Sequence, residues 1–314
     1  MAYSVFIDGA AGTTGLEIAD RLAGRGEFAV IALDDARRKD PAARRDALHA
    51  ADFAVLCLHD DAAREAVAMA EGSRVRIIDA STAHRVAPGW TYGFPEITGR
   101  EAVAQANRVA NPGCYPTGFL ALLAPLVRAR LLPANWPYTV NAVSGYSGGG
   151  KALIERFASD ADHDIAFRAY GLGLGHKHLG EMQAYAGLAH APVFAPAVVP
   201  AFRGMVVEIP VPLTAMTAVT GAGMPNPDAL RAALAAFYED SAVVTLRGDT
   251  PDELLLRQGA APWDGIDLYV FGASDGSQAR LVAVLDNLGK GASGAAVQSL
   301  NLMAGLPETT GLSL

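Results

Sequence analysis

Ser4-Val5-Phe6-Ile7-Asp8-Gly9-Ala10-Ala11-Gly12-Thr13-Thr14-Gly15 lies near the start of the chain and decides its fold. Val5 to Ile7 is apolar at successive positions, so both faces of this strand are expected to be covered, as in a parallel sheet. The glycines at 9, 12 and 15 permit a tight turn and bring backbone N–H groups close to a pyrophosphate at the start of a helix over 14–23. The spacing is G-x-x-G-x-x-G instead of the usual G-x-G-x-x-G, so the loop takes its meaning from its place between a first strand and a first helix. Gly9, Gly12, Thr13, Thr14 and Gly15 are the candidate contacts to a dinucleotide.

Outward from this loop the alternation continues. Strands are expected at 28–33, 53–58 and 75–79, with helices at 42–49 and 61–70 between them. This is the doubly wound parallel pattern of an α/β dinucleotide-binding domain. After the second strand the chain reads Asp34-Asp35-Ala36-Arg37-Arg38-Lys39. Cations here accommodate a ribose 2′-phosphate and favour NADP, whereas Asp34 leaves room for NAD.

From about residue 135 the pattern changes. Strands are expected at 138–144, 193–199, 205–212, 214–220, 242–246, 266–271 and 278–285, with helices only near 151–157 and 228–238. Strands following one another without helices predict an α+β domain with a mixed or mostly antiparallel sheet. A final Ala-rich helix around 291–305, carrying Gln298 and Asn301, is expected to pack back onto the first domain. The expected division is thus 1–114, completed by the C-terminal helix within 288–314, for the dinucleotide, and 115–287 for catalysis and dimerisation.

Composition narrows the function. The 314 residues are 51% hydrophobic and 18% charged, which marks a globular chain long enough for two domains. The net charge of −8 argues against sequence-independent nucleic-acid binding, which needs clustered cations. Neither a basic n-region nor a small-residue cleavage site is found, and the longest apolar stretch, 119–127, falls far short of the roughly 20 residues of a membrane span. A soluble, cytoplasmic protein is expected.

The two cysteines differ in setting. Cys57 lies in the apolar run Phe53-Ala54-Val55-Leu56-Cys57-Leu58 and reads as a small buried hydrophobe. Cys114 lies in Asn111-Pro112-Gly113-Cys114-Tyr115-Pro116-Thr117. Pro116 suits a first helical turn and 117–130 is helix-compatible, which puts Cys114 at or just before a helix N-terminus, where the thiolate is favoured. A nucleophile needs a proton partner. Gly175-His176-Lys177-His178-Leu179-Gly180-Glu181 is the densest histidine group, and Glu181 stands three positions after His178, near enough on a helical turn to orient it. His-x-His is also a possible metal pair, but no further ligands stand at suggestive spacing, so no metal is expected.

Ser144-Gly145-Tyr146-Ser147-Gly148-Gly149-Gly150-Lys151 ends a strand and opens a helix, as an anion nest or a close-packed turn would. Arg85 and Arg203 are candidate clamps for a phosphate or carboxylate.

With these segments in order, nearly the whole chain resembles the shorter form of the N-acetyl-γ-glutamyl-phosphate reductases of arginine biosynthesis. The likeness rests on Gly12-Thr13-Thr14-Gly15-Leu16-Glu17, Asp79-Ala80-Ser81-Thr82, Tyr92-Gly93-Phe94-Pro95-Glu96 and the cysteine segment. It continues through Ser144 to Gly150, His176-Lys177-His178, Arg203-Gly204 and Asp286-Asn287-Leu288-Gly289-Lys290-Gly291-Ala292. The resemblance implies a fold shared with aspartate-semialdehyde dehydrogenase and glyceraldehyde-phosphate dehydrogenase, and NADP(H) as cofactor. It implies Cys114 as nucleophile, His178 as acid/base and Glu181 as its orienting group. Ser81, Ser144, Gly145, Gly148 and Asn287 join the candidate cofactor contacts. Asn111, Arg85, Ser147, Arg203 and His176 are the candidate substrate contacts, with His176 a competitor for the role of His178. The implied reaction is NADPH-dependent reduction of an acyl phosphate to an aldehyde through a cysteine thioester, in a homodimer or homotetramer. The alternatives are an aspartate-semialdehyde dehydrogenase and a non-catalytic NADP-binding regulator.

Overall fold

The computed structural model describes residues 2–221, 223 and 225–314. The chain divides into two compact units, one of residues 1–113 with 292–313 and one of residues 114–291.

The first unit runs β1 (Tyr3–Asp8), α1 (Thr13–Leu22), β2 (Phe28–Ile31), α2 (Pro41–Ala50), β3 (Phe53–Leu56), α3 (Asp60–Met69), β4 (Arg76–Asp79), β5 (Thr91–Tyr92), α4 (Pro95–Thr98), α5 (Arg100–Gln105) and β6 (Arg108–Ala110). The six strands lie in the order β2-β1-β3-β4-β6-β5 and every pairing is parallel. The order reverses between β1 and β3, the switch point where doubly wound sheets bind nucleotides. Strand alternation explains the apolar runs. Val5, Ile7, Val55 and Ile78 point into one core, which the C-terminal helix (Gly294–Met303) fills with Ala296, Val297, Leu300 and Met303. Phe6, Ala54, Leu56 and Ile77 point into the other core, beneath α2 and α3.

The second unit runs α6 (Cys114–Arg128), β7 (Thr139–Gly145), α7 (Gly150–Phe157), β8 (Arg168–Ala169), α8 (Leu179–Ala186), β9 (Val193–Val199), β10 (Met205–Val211), α9 (Leu213–Thr220), α10 (Pro227–Phe237), β11 (Val244–Leu246), β12 (Ile266–Gly272) and β13 (Ala279–Leu285). Its seven-stranded sheet has the order β11-β12-β13-β10-β7-β9-β8. The β7/β9 and β11/β12 pairs are parallel and the others antiparallel. One expectation fails. Residues 214–220, expected as a strand, form helix α9, which buries Leu213 and Met216 three apart and ends at Gly221 with φ +70°.

Helix α6 is buried almost throughout and packs on β10, β12 and β13. Gly118 lets it approach, since a Cβ there would stand 2.8 Å from Val207 Cγ2. Pro125 inside the helix has no N–H for the Ala121 carbonyl, and the Tyr238 hydroxyl donates to that carbonyl instead at 2.8 Å. The helix therefore stays in one piece from Cys114 onward, which is what a nucleophile fixed at its first turn requires.

Candidate active site

Cys114 is the first residue of α6 and is partly buried. Thiolate there faces the positive end of the helix dipole. Gly291 closes on it from the turn after β13: a Cβ on Gly291 would lie 2.9 Å from Cys114 Cβ and 3.0 Å from the Asp286 carbonyl oxygen. The other cysteine is different. Burial, with the charges of Asp79 and Asp8, pushes the Cys57 thiol up to about 12. Cys57 is thus a poor nucleophile at neutral pH.

Around Cys114 the second unit gathers an aromatic group. The Tyr115 hydroxyl donates to the Ala197 carbonyl at 3.2 Å, with the side chains of Tyr170 and Ser144 close by. Burial raises the Tyr115 phenol and pushes Tyr170 up to about 12, and negative charge on Cys114 raises both further. The phenols therefore stay neutral beside a thiolate. The His178 ring lies 5.9 Å from Tyr115, and the His176 ring 6.2 Å from Tyr115 and 4.6 Å from His178. His178 stands at the N-cap of α8, and both it and Glu181 are buried. Helix α8 packs against α6, so the cysteine and histidine elements are neighbours.

The remaining candidates in this unit form a connected support. Asn287 accepts from the Gly204 N–H and donates to Ser147 Oγ, both at 2.9 Å. Asp286 accepts from Arg203 Nη1 at 2.9 Å and from the Leu288 N–H at 2.9 Å, and its carbonyl takes the N–H groups of Gly289 and Gly291. Backbone bonds from Gly145, Tyr146 and Ser147 to residues 201–204 join the two loops, and a Cβ at Gly145 would meet the Ala201 and Phe202 carbonyls at 2.8 Å. Arg203, expected as a clamp, is buried and ion-paired with Asp286. Tyr115, Tyr170, Gly291 and Asp286 do not stand out in the sequence as site residues. Tyr115 and Gly291 lie inside the motifs quoted above, but only the fold shows how close they come to Cys114.

In the first unit, Gly9 has φ +90° and a Cβ there would stand 2.3 Å from the Cys57 carbonyl oxygen, while one on Gly15 would stand 2.5 Å from the Gly9 carbonyl oxygen. Packing thus demands glycine at both. At Gly12 the nearest atom would be 3.4 Å away, an ordinary contact. Gly12 is also the N-cap of α1 and brings no side-chain cap. The first-turn N–H groups and a bare approach suit a pyrophosphate. Asp34 Oδ1 accepts the Arg37 N–H at 2.9 Å, Arg38 pairs with Asp35 at 2.8 Å, and Arg37 and Lys39 are exposed. Ser81 donates through Oγ to Asp79, which also holds His84 Nδ1 at 2.6 Å; the His84 ring stacks on Trp90. Arg85 is buried, and its guanidinium donates to the Asn111 and Ala80 carbonyls. Asn111 holds the Ala292 carbonyl through Nδ2 and keeps a buried Oδ1 with no protein partner among the described residues.

Family models match both units. The semialdehyde dehydrogenase NAD binding domain covers residues 4–106, and the semialdehyde dehydrogenase dimerisation domain covers 114–287. A relative from a Nostoc species, named N-acetyl-gamma-glutamyl-phosphate reductase 2, is 48% identical over 98% of this chain and 98% of its own. The chain belongs to the N-acetyl-gamma-glutamyl-phosphate reductases. A Brucella suis reductase of that family is likewise 48% identical, over 97% of this chain and all of its own. The fold reaches beyond the reductases. Aspartate semialdehyde dehydrogenase from Francisella tularensis superposes with a TM-score of 0.71 at 12% identity, covering 96% of this chain and 100% of that one. Aspartate semialdehyde dehydrogenase II from Vibrio cholerae, complexed with ASA, gives 0.69 at 19%, covering 96% and 98%. No helix among the described residues is long and apolar enough to cross a membrane.

Proposed function

We propose that this chain reduces N-acetyl-L-glutamyl 5-phosphate to N-acetyl-L-glutamate 5-semialdehyde and phosphate, a step of arginine biosynthesis, with NADPH as reductant. The observation that carries the reading is Cys114 at the first turn of α6, where the next residue, Tyr115, lies against the His176–His178 group, in a chain 48% identical to reductases of that name. Residues 1–114 with 288–314 would serve the dinucleotide, and 115–287, together with Cys114 at the boundary, carry the chemistry.

The loop from Gly9 to Gly15, with Thr13 and Thr14, would hold the pyrophosphate, and Arg37, Arg38 and Lys39 the 2′-phosphate. Asp34, the carboxylate that would favour a ribose 2′-hydroxyl, already caps a turn. Asn287, bonded at both ends of its amide, fixes Ser147 and Gly204 near the loop from Ser144 to Gly148. Bound NADPH supplies a hydride. Cys114 thiolate attacks the acyl carbon, the carbonyl oxygen takes the charge, and the helix-start N–H groups stabilise it. Phosphate leaves as the carbonyl re-forms, and the acyl group stays on Sγ as a thioester. Once hydride has reached that carbon, His178 donates a proton to the developing oxyanion. It takes the proton back as the C–S bond breaks, releasing the aldehyde and the thiolate. Glu181 would orient His178; Ser147 and Arg203 in the second unit, and Asn111 and Arg85 in the first, are the proposed contacts to the acyl chain and its phosphate. The dimerisation-domain match supports a homodimer or homotetramer, and a cytoplasmic location suits a biosynthetic step.

The test is phosphate-dependent oxidation of N-acetylglutamate semialdehyde, run beside aspartate semialdehyde and with NADP and NAD. The expected preference for the acetylated aldehyde with NADP is about 100-fold or more in kcat/KM. A preference for aspartate semialdehyde would move the chain to the other dehydrogenase.

A further inference from the structure

We infer that His176 is the positioning residue of the histidine pair, setting His178 against Cys114 by capping helix α8 with its own ring nitrogen. The inference rests on the proposed reductase reading for its kinetic consequences and on geometry for the rest.

An N-cap residue usually turns its side chain back onto the first N–H groups of its helix. His178 occupies the N-cap of α8 and makes no such bond. The job passes to His176. The His178 N–H donates to His176 Nδ1 at 3.1 Å, and the Leu179 N–H donates to the His176 carbonyl at 3.1 Å. One residue thus satisfies the first two donors of the turn, and the His178 imidazole is released from capping. A ring nitrogen that accepts from a backbone N–H cannot carry a proton, so His176 is the Nε2–H tautomer.

The residue is half-buried, and three aromatic rings stand against its imidazole. Phe194 stands edge-on at 5.0 Å, Tyr115 edge-on at 6.2 Å, and Tyr170 at 5.7 Å. Tyr115 follows the nucleophile directly in α6, and its hydroxyl is held by the Ala197 carbonyl. His176 therefore links the helix that begins with Cys114 to the helix that begins after His178. A general acid must be presented at a set distance, and displacement of about 1 Å costs on the order of 100-fold in rate. A ring held on one nitrogen and packed on three sides suits that task better than binding substrate.

Three substitutions separate the roles. In H176N the amide oxygen falls near the Nδ1 position and keeps the acceptor; in H176Q it falls near Nε2; H176L has none. H176N is expected to keep kcat within about threefold of wild type, while H176Q and H176L lose about 10- to 100-fold with KM for aldehyde and NADP unchanged. A raised KM in all three would make His176 a substrate contact. Equal loss in H176N and H176Q, with a missing limb of the pH profile, would make it the acid/base. Either overturns the inference. Nitrogen-15 spectra of histidine-labelled wild-type protein give a readout that needs no turnover. They should show His176 protonated at Nε2 alone, with the His178 amide protected from exchange in wild type and H176N but not in H176Q. A proton on Nδ1 overturns the inference. Absent activity in wild type with these spectral results intact would overturn only the reductase reading.

Discussion

Gly291→Ala is the sharpest perturbation of the nucleophile that leaves every catalytic group in place. The added carbon would stand 2.9 Å from Cys114 Cβ and 3.0 Å from the Asp286 carbonyl oxygen. Carbon pairs pack best at about 3.5–4.0 Å, so the start of α6 must retreat by roughly 0.6 Å or more. The opposing side yields little. The Asp286 carbonyl holds the N–H groups of Gly289 and Gly291, and its carboxylate holds Arg203. The helix cannot simply slide, because Gly118 already lies against Val207. Overpacking of this kind costs about 1–3 kcal/mol in stability. Misplacing a nucleophile by a substantial fraction of an ångström costs about 10- to 100-fold in kcat. Steady-state oxidation of the semialdehyde, the melting temperature and the alkylation rate of Cys114 by iodoacetamide measure the three effects. Wild-type kcat and alkylation rate in a folded G291A would refute the reasoning, since the thiol would then not depend on that contact.

Cys114→Ser should retain NADPH binding, followed by fluorescence titration, and lose turnover by several orders of magnitude, about 10³-fold or more. Alanine at both Arg37 and Arg38 should raise KM for NADPH about 10-fold or more and leave NADH kinetics nearly unchanged, measured side by side. Arg44→Met strands the buried Asp8 carboxylate that Arg44 now contacts at 2.9 Å, costing about 3–5 kcal/mol at neutral pH by denaturant titration. Burial already holds Asp8 above its usual 3.8, so the folded chain binds that proton more tightly than the unfolded chain. The deficit of the variant should therefore shrink as pH falls through the raised value and grow as pH rises above it. Leu300→Ala, in the core shared by the C-terminal helix and the parallel sheet, should cost about 2–5 kcal/mol by the same titration.

Much of the fold is readable in the sequence because its signals are local. Val5 to Ile7 must be buried on both faces, and the two hydrophobic cores lie on either side of that strand. The cysteine's place at a helix start follows from Pro116 and the run after it, although the helix begins three residues earlier than 117. Residues 214–220 mislead because β-branched Thr214, Thr217, Val219 and Thr220 crowd a short segment, while the turn of Leu213 and Met216 toward the core is a tertiary fact. The support of the site is illegible for the same reason. Arg203 looks like a free cation in sequence, and its partner Asp286 comes 83 positions later. The two histidines cannot be ranked by spacing alone. A backbone N–H meeting a ring nitrogen, with rings from α6, β9 and the residue after β8 around it, separates them.

The central claim, that Cys114 carries the acyl group, is tested most directly by oxidising N-acetylglutamate semialdehyde with NADP and no phosphate. The account predicts a burst of NADPH stoichiometric with active subunits, then slow turnover, and an N-acetylglutamyl adduct found by mass spectrometry on the peptide containing Cys114. No burst, or an adduct on the peptide containing Cys57, would contradict it.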